Sequence, residues 1–415
     1  MMSGLVYCHR RQFNKKCPVR LLVVVLYACV ITSFSMMCGA SEEDASLYQQ
    51  VQNLERELAT LKSDDDKEHA TVNAVEAAMK KIQISGFASI DAEQLHSNSD
   101  GDTYAGAGTH LGWGNHSVVG LQMQFNMSDA TNFIFQVTSR FNENNKIVAE
   151  WAYLTHHFDE HWQVRVGTMR LPFFLSSEYL EVGFAYPWAN LPTEVYGGTL
   201  DNFTGGDVGY HWTAYTMTFD LQAYVGTHLS TKARQGSVGD VKVDGLTGMR
   251  WDGSWNAWRL GASYTEGRVT AEGGSLQPFV EPRSKASFVG LGLGYEGEQL
   301  LLQTEWVEQK VAGAIADEEA YHVSGAYHMG KWTPYAIYAH LRSIDNNERL
   351  TPPDNLLTQH YMQSSLAFGL RRDVFDNLAL KGEVLHVLKN EHSDRIVGDV
   401  GDSAYLYTLK LDVLF

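Results

Sequence analysis

The sequence has little of what a helical membrane protein needs. Only residues 21–37 form a long, predominantly apolar run, whereas a helical bundle requires several runs of about 20 apolar residues. If the remaining 378 or so of the 415 residues cross a membrane, they must do so as alternating strands. In such strands a polar face dilutes the apolar face, so that no long hydrophobic run is seen.

Cysteine, basic charge and catalytic motifs are also scarce. All four cysteines lie in the first 40 residues, at Cys8, Cys17, Cys29 and Cys38. A chain that loses this segment has no disulfides, thiol chemistry or cysteine-based metal site. The other residues contain 27 Lys and Arg against 49 Asp and Glu, which argues against nucleic-acid binding. No serine-hydrolase, zinc-protease or phosphate-loop motif is present, so the sequence predicts neither an enzyme nor a cofactor.

Residues 1–40 have the three regions of a secretory signal peptide. A basic region precedes the apolar run 21–37, and small residues lie before Ser41, where we expect cleavage. An uncleaved anchor helix and a lipoprotein signal ending at Cys29 are the alternatives. The basic residues are Arg10, Arg11, Lys15, Lys16 and Arg20.

Residues 41–81 have the heptad spacing of a coiled coil. Apolar residues follow a 4-3-4-3 spacing through Leu47, Val51, Leu54, Leu58 and Leu61, which is the seam of such a helix. The same phase crosses a polar break and resumes at Val72, Val75, Met79 and Ile82. A single amphipathic helix lying against the following domain is the alternative.

From residue 82 to residue 415 the period changes to two. At the carboxyl terminus the apolar residues Tyr405, Tyr407 and Leu409 alternate with Thr408 and Lys410, as in a half-buried strand. Sixteen such segments can be counted. They span residues 82–94, 109–127, 131–142, 147–158, 161–170, 207–216, 219–228, 246–253, 256–266, 285–296, 298–311, 319–329, 331–342, 360–371, 377–389 and 403–415.

The connections between these segments are alternately short and long, which is typical of transmembrane β-barrels with tight periplasmic turns and long external loops. An even number of strands places both barrel termini on the periplasmic side, so the coiled coil is expected in the periplasm. The sequence thus predicts an all-β fold, a 16-stranded antiparallel transmembrane β-barrel with an N-terminal α-helical coiled coil.

Strand parity assigns each residue to the lipid or the lumen. Trp162, Val164 and Val166 face one side, and Gln163 and Arg165 face the other. A charge on the lipid face costs about 2–4 kcal/mol at the bilayer midplane, so charged positions are expected inside. Aromatic residues near strand ends are expected in two interfacial girdles. These are Trp151, Tyr153, Trp212, Tyr321, Trp332, Tyr361 and Tyr405.

The segment 82–415 resembles the 16-stranded trimeric porins of Gram-negative outer membranes. The similarity lies in the strand alternation, the opening Ile84–Ser89 and the final Phe415. The added coiled coil resembles that of the DcaP-like porins, a trimeric branch associated with dicarboxylates and other anionic solutes. This resemblance implies a homotrimer in the outer membrane, contacts with lipid and lipopolysaccharide, and Phe415 as a signal for the barrel-assembly machinery.

The longest connection, residues 171–206, follows the fifth strand. In porins this third external loop folds inward and narrows the pore, and long aromatic-rich loops are usually functional. An external cap outside the pore is the alternative. The acidic residues that we expect at the constriction are Glu178, Glu181 and Asp201, together with Glu194.

Basic residues with lumen parity are expected opposite this loop. An acidic loop facing a basic wall would set up a field across the pore. Alternatively, each charge is paired across the lumen with Glu150, Glu305, Glu383 or Asp412. The basic candidates are Arg140, Arg165, Arg170, Arg371, Lys381 and Lys410, with Arg259 sharing their parity.

The predicted function is passive diffusion of small hydrophilic solutes, with a preference for anionic ones such as dicarboxylates. A structural outer-membrane tether or adhesin-type barrel is the alternative, and an outer-membrane hydrolase is a weaker one. The histidine-rich run 156–161 is expected to be a solvated turn rather than a metal site.

Overall fold

The computed structural model describes residues 49–60, 62, 81–98, 100–143, 145–197, 200–230, 240–272, 282–313, 316–344, 362–391 and 403–415. The chain divides into two compact units, Met1–Lys80 and Lys81–Phe415. In the first unit residues 49–60 are helical, and the seam residues Leu54 and Leu58 are 62% and 45% exposed. The seam residue Val51 lies in the same helix. The other seam positions up to Met79, which are Leu47, Leu61, Val72, Val75 and Met79, and the predicted signal peptide lie outside the described residues. Among the described residues, no helix is both long and apolar enough to cross a membrane.

The second unit is built from sixteen long strands, numbered here β1 to β16. Three two-residue strands, Thr103–Tyr104, Ala107–Gly108 and Gly112–Trp113, lie between β1 and β2 and are not numbered. The sixteen are β1 Ile82–His96, β2 Val118–Asn126, β3 Thr131–Arg140, β4 Ile147–His157, β5 Trp162–Arg170, β6 Asn202–Ala214, β7 Met217–Ser230, β8 Asp240–Trp255, β9 Trp258–Glu272, β10 Ser284–Glu296, β11 Leu300–Val311, β12 Asp317–Tyr327, β13 Trp332–Ile344, β14 Met362–Phe375, β15 Leu378–Glu391 and β16 Ala404–Leu414.

The sheet closes on itself. Each strand pairs antiparallel with the next along the chain, and β1 pairs with both β2 and β16. At the closure the backbones of Gly86 and Phe415 exchange two hydrogen bonds of 2.7 and 2.9 Å. Closure removes the unpaired sheet edges that lipid cannot solvate. The predicted 16-stranded antiparallel barrel is therefore confirmed, as is the alternation of short and long connections.

The two faces of the wall follow strand parity. In β16, Tyr405, Tyr407 and Leu409 are 39–53% exposed on the outside, whereas Thr408 and Lys410 are buried on the lumen side. Leaving large apolar side chains outside is unfavourable in water but favourable in a hydrocarbon layer. The wall therefore has the surface of a barrel that is embedded in lipid.

The girdle positions predicted for two aromatic residues of β4 are not found, because Trp151 and Tyr153 line a lumen cavity beside Arg165. The register of β4 shifts against β3 between Gln136 and Val137, because the backbone of β4 carries one extra residue at Glu150. Such a bulge reverses the facing of the residues beyond it. The prediction of girdle positions for these two aromatic residues is wrong for this reason.

Candidate functional site

A long irregular segment fills much of the lumen. Residues 171–201, called here the lumen loop, connect β5 to β6. Their described part includes two 3-10 turns, Ser177–Tyr179 and Gly183–Ala185, and one α-helical turn, Thr193–Tyr196. The segment is shorter than predicted, because residues 202–206 already belong to β6. The loop contacts lumen-facing side chains from β8 to β16, so it must cross the interior of the barrel. The expected inward fold is therefore seen, and the alternative of an external cap is excluded.

Three basic side chains hold the middle of the lumen loop against the wall. Lys381 of β15 is fully buried and its Nζ donates to the carbonyls of Gly183, Tyr186 and Trp188, all at 2.7–2.8 Å. The same nitrogen lies 2.8 Å from Asp412 Oδ2. A buried charge is tolerated only when it is paired and hydrogen-bonded. Lys381 therefore fastens the loop.

Two further basic residues on β14 and β16 act in the same way. Arg371 donates to the carbonyls of Phe184 and Tyr186 at 2.8 and 3.0 Å. Lys410 donates to Asn190 Oδ1 at 2.9 Å and is 4% exposed. The sequence predicted that these side chains face a permeating solute. In the structure they lie against the lumen loop and bind it.

Glycines of β10 let the start of the lumen loop approach the wall closely. A Cβ added at Gly292 of β10 would lie 2.5 Å from Leu175 Cγ, and one added at Gly290 would lie 2.6 Å from the carbonyl oxygen of Phe173. That carbonyl also accepts a 2.8 Å hydrogen bond from Ser263 Oγ. The lack of side chains on this part of β10 thus makes room for the start of the lumen loop.

We expect Gly292→Val to push the lumen loop away from β10, because the new side chain would overlap Leu175. Overpacking of this kind costs about 1–3 kcal/mol. The variant should unfold at a lower temperature and conduct ions with a changed unitary conductance. Gly382→Val is the matched control, since a Cβ at Gly382 meets nothing within 4 Å. Equal stability and conductance in both variants would show that β10 does not support the loop.

Buried acidic residues on the loop and the wall are capped by hydroxyl and amide donors. Tyr196 of the loop donates to Glu305 at 2.6 Å, and Glu194 accepts from Tyr104 and Gln363 at 3.0 and 2.8 Å. Burial, followed by the nearby carboxylate, raises the pKa of both tyrosine hydroxyls well above the usual value. These tyrosines therefore stay protonated and remain donors. Glu194 and Glu305 are accordingly structural.

The base of the lumen loop is a compact ion cluster. Arg140 Nη2 lies 2.6 Å from Glu150 and 2.8 Å from Glu181. Arg170 is 3.9 Å from the same Glu181 oxygen, and the carbonyl of Asp201 accepts from the amide of Leu171 at 2.9 Å. Arg140 was expected across the pore from the loop. The structure instead ties it to the loop, so this prediction is corrected.

Glu178 and Arg165 differ from these anchors because both border open space. Glu178 is exposed and lines a cavity of about 610 Å³ together with Arg165. Arg165 is 17% exposed and its Nη2 is 2.9 Å from Asp207, which is fully buried. Arg165 and Glu178 therefore both border the open lumen. The other polar groups of this cavity include Gln163, Gln222, Arg250, Asp252 and Arg259.

Sequence reasoning missed three charged residues that line this cavity or pair with its arginines, namely Asp207, Arg250 and Asp252. Asp207 is the first residue of the strand predicted at 207–216, and Arg250 lies in the strand predicted at 246–253. Neither side chain was assigned to the lumen from the sequence. Arg250 is buried and donates two hydrogen bonds to the Asp252 carboxylate, at 2.6 and 2.7 Å. Asp252 also accepts a hydrogen bond from Arg259 at 3.2 Å. Alternation along β8 carries the signal, because Arg250 and Asp252 share one face.

The histidine-rich run 156–161 ends in a turn, as expected. Asp159 Oδ1 accepts from the backbone amides of His161 and Trp162 at 2.8 and 2.7 Å. These two bonds lower the pKa of the Asp159 carboxyl, because they favour the charged form.

A closed sixteen-stranded barrel with an inward third loop defines the porin type of fold. No protein-family profile and no curated protein sequence matches the chain, but solved porin structures do match its fold. An anion-selective porin from Comamonas acidovorans is 12% identical over 80% of this chain and 99% of its own, with a TM-score of 0.55.

Two other solved structures are similar to the same extent. The outer membrane channel DcaP of Acinetobacter baumannii is 12% identical, covering 80% of this chain and 97% of its own, with a TM-score of 0.54. OmpT, an outer membrane protein of Vibrio cholerae solved in a trimer form, is 13% identical, covering 80% and 99%, with a TM-score of 0.52. The resemblance to porins is thereby confirmed for the fold.

Proposed function

We propose that this protein is a porin of a Gram-negative outer membrane, through which small hydrophilic solutes diffuse passively. The observation that carries the proposal is the lumen loop, which is fastened inside a closed barrel yet leaves charged side chains at open water. A barrel that served only as an anchor would need no such loop. Sixteen strands enclose a lumen wide enough for water, and the loop narrows it.

The open part of the lumen favours anionic solutes in this proposal. Arg165, Arg250 and Arg259 border the 610 Å³ cavity, and its acidic side chains are Glu160, Glu178, Asp220 and Asp252. A guanidinium group presents a planar fork of donors that suits carboxylates. The preference for dicarboxylates rests on these arginines, and on the similarity to an anion-selective porin and to DcaP.

Single-channel recording on the purified protein in a planar bilayer tests the proposal. We expect stepwise ohmic conductance. In a salt gradient we expect a reversal potential whose sign indicates anion selectivity and whose value changes when succinate replaces chloride. A protein that inserts without conducting would support the tether instead. Turnover of a lipid or peptide would support a hydrolase instead.

We further propose a homotrimer that contacts lipid and lipopolysaccharide and is inserted by the barrel-assembly machinery through its terminal Phe415. The trimer form of the similar Vibrio cholerae protein supports the oligomer. The seam residues Leu54 and Leu58 are exposed in a single chain and would be covered in a three-stranded coil. The barrels would hold the three helices close together, which favours such a coil through effective concentration.

Deleting residues 41–80 should leave the unitary conductance unchanged but lower the temperature at which the trimer dissociates. The reason is that the coil, once formed, adds contacts between chains without lining the pore. Native mass measurement and semi-native gels over a temperature series check this. Leu54→Asp with Leu58→Asp should reproduce the deletion, and unchanged dissociation in both variants would exclude a role for the coil.

A further inference from the structure

The first long loop returns to β1 beside two buried acids. Asp91 and Glu93 are two residues apart on β1 and face the lumen, where each is 1% exposed. Residues Gly112–Trp113 pair with β1, and the amide of Gly114 donates to the carbonyl of Asp91 at 3.1 Å. This pairing brings the end of the loop, including His116, alongside the two carboxylates.

The three side chains form a compact set of metal-binding atoms. One ligand atom from each of Asp91, Glu93 and His116 lies within 4.8 Å of the others, and His116 Nδ1 is 3.1 Å from both Glu93 oxygens. Ligands held at 2.0–2.2 Å around one ion lie about 3.0–3.5 Å apart. The spacing of His116 and Glu93 therefore already suits an ion, and Asp91 needs only a small adjustment.

The protein does not fully satisfy these carboxylates. Asp91 Oδ2 is buried and has no hydrogen-bond partner, and an unsatisfied buried charge is costly. Among the described residues, His116 is the only basic side chain in an ion pair with either acid. Lys410 of β16 lies opposite Asp91 in the strand register and contributes a more distant positive charge. A divalent cation bound between the two carboxylates would supply the direct partner that Asp91 Oδ2 lacks.

Surrounding hydrogen bonds fix the ligands in place. Asp91 Oδ1 accepts from Ser117 Oγ at 2.5 Å and from the amide of His116 at 3.0 Å. Glu93 accepts from Asn115, Asn190 and Thr408 at 2.9–3.1 Å. Outer donors of this kind orient the ligands of metal sites. His116 is 30% exposed, which leaves a side from which water or an ion can enter.

We propose that Asp91, Glu93 and His116 bind a divalent transition-metal ion, with Zn²⁺ as the best match. Imidazole nitrogen and carboxylate oxygen atoms are both Zn²⁺ ligands, and three of them leave the fourth tetrahedral position open to water. The ion would join the first loop to β1. Because Asn190 of the lumen loop donates to Glu93, the same ion would also stiffen the contact between the two loops.

Zn²⁺ titration of the full chain in detergent, after treatment with a chelator, tests the site by calorimetry. We expect one saturable high-affinity site per chain, in addition to weak binding by others of the 16 histidines. His116→Ala and Asp91→Asn should each weaken this binding tenfold or more. His110→Ala is the matched control, since His110 is exposed in the same loop and outside the cluster.

A second readout guards against variants that fold poorly. Zn²⁺ should raise the unfolding temperature of the unmodified chain and of His110→Ala, but not that of Asp91→Asn, whose side chain keeps its volume. Absence of a saturable site, or equal affinity in His116→Ala, would overturn the proposal. Tighter binding of Ca²⁺ than of Zn²⁺ would overturn the assignment of the imidazole as a ligand.

Discussion

Replacing Arg165 with Glu is expected to lower the anion-to-cation permeability ratio of the channel about fivefold to tenfold in low salt. The change removes a positive charge at the lumen cavity and adds a negative one beside Asp207, which lies 2.9 Å from the arginine. One charge at 4 Å is worth about 1 kcal/mol even in bulk water, and about 1.4 kcal/mol corresponds to a tenfold ratio. The measurement is the reversal potential in a potassium chloride gradient.

Two variants make this experiment decisive. Arg283→Glu changes the net charge equally, but its side chain is 62% exposed in the loop before β10, so it should leave selectivity nearly unaltered. Asp207→Asn frees Arg165 from its partner and should shift permeability toward anions. The Arg165→Glu effect should shrink at 1 M salt, where the Debye length is about 3 Å. An unchanged reversal potential at low salt would mean that the solute path avoids Arg165.

Replacing Lys381 with Met is expected to release the lumen loop and to destabilise the barrel by about 3–5 kcal/mol. The substitution deprives the carbonyls of Gly183, Tyr186 and Trp188 of their common donor. It also leaves Asp412 buried without its cation, and breaking one side of a buried pair is costly by this amount. The channel should show a larger and noisier unitary conductance and a lower unfolding temperature.

Loop release and loss of stability can be separated. Adding Asp412→Asn to Lys381→Met removes the unpaired charge, so stability should partly return while the conductance stays high. Lys285→Met is the control, because Lys285 is exposed on β10 and touches no part of the lumen loop in the contacts described. A Lys381→Met channel with unchanged conductance and noise would show that other contacts hold the loop.

The strand count and the two faces of the wall could be predicted from the sequence because both are local properties. Successive side chains of a strand point to opposite sides, and lipid tolerates charge on only one of them. The alternation of Tyr405, Tyr407 and Leu409 with Thr408 and Lys410 therefore predicts which side chains face the lipid and which face the lumen. The same reasoning placed the longest connection after β5, where the lumen loop is found.

Parity places a charge inside the barrel but does not say whether it meets water or protein. Lys381 and Arg165 were both predicted to face the lumen. Lys381 is fully buried against carbonyls that are 193–198 residues away in sequence, whereas Arg165 borders a cavity. Burial of Lys381 depends on the path of the lumen loop, which has no sequence period. Only the tertiary structure could assign Arg165 and Arg259 to the open lumen and Lys381, Arg371 and Lys410 to anchoring the lumen loop.

Two further features could not be predicted from the sequence. These are the bulge in β4 and the contact between residues that lie far apart in the sequence. The extra residue at Glu150 turned Trp151 and Tyr153 inward. Residues 147–154 are apolar at every position except Glu150, so that their sequence does not show which of them face the lumen. Asp91 and Glu93 meet His116 only because the first loop folds back onto β1. The sequence by itself determined the barrel, its apolar outer face and its polar inner face, since backbone geometry and lipid act on each strand separately. The tertiary structure decided the charges at the lumen and the metal-binding cluster, since these depend on loops whose paths are set by long-range contacts.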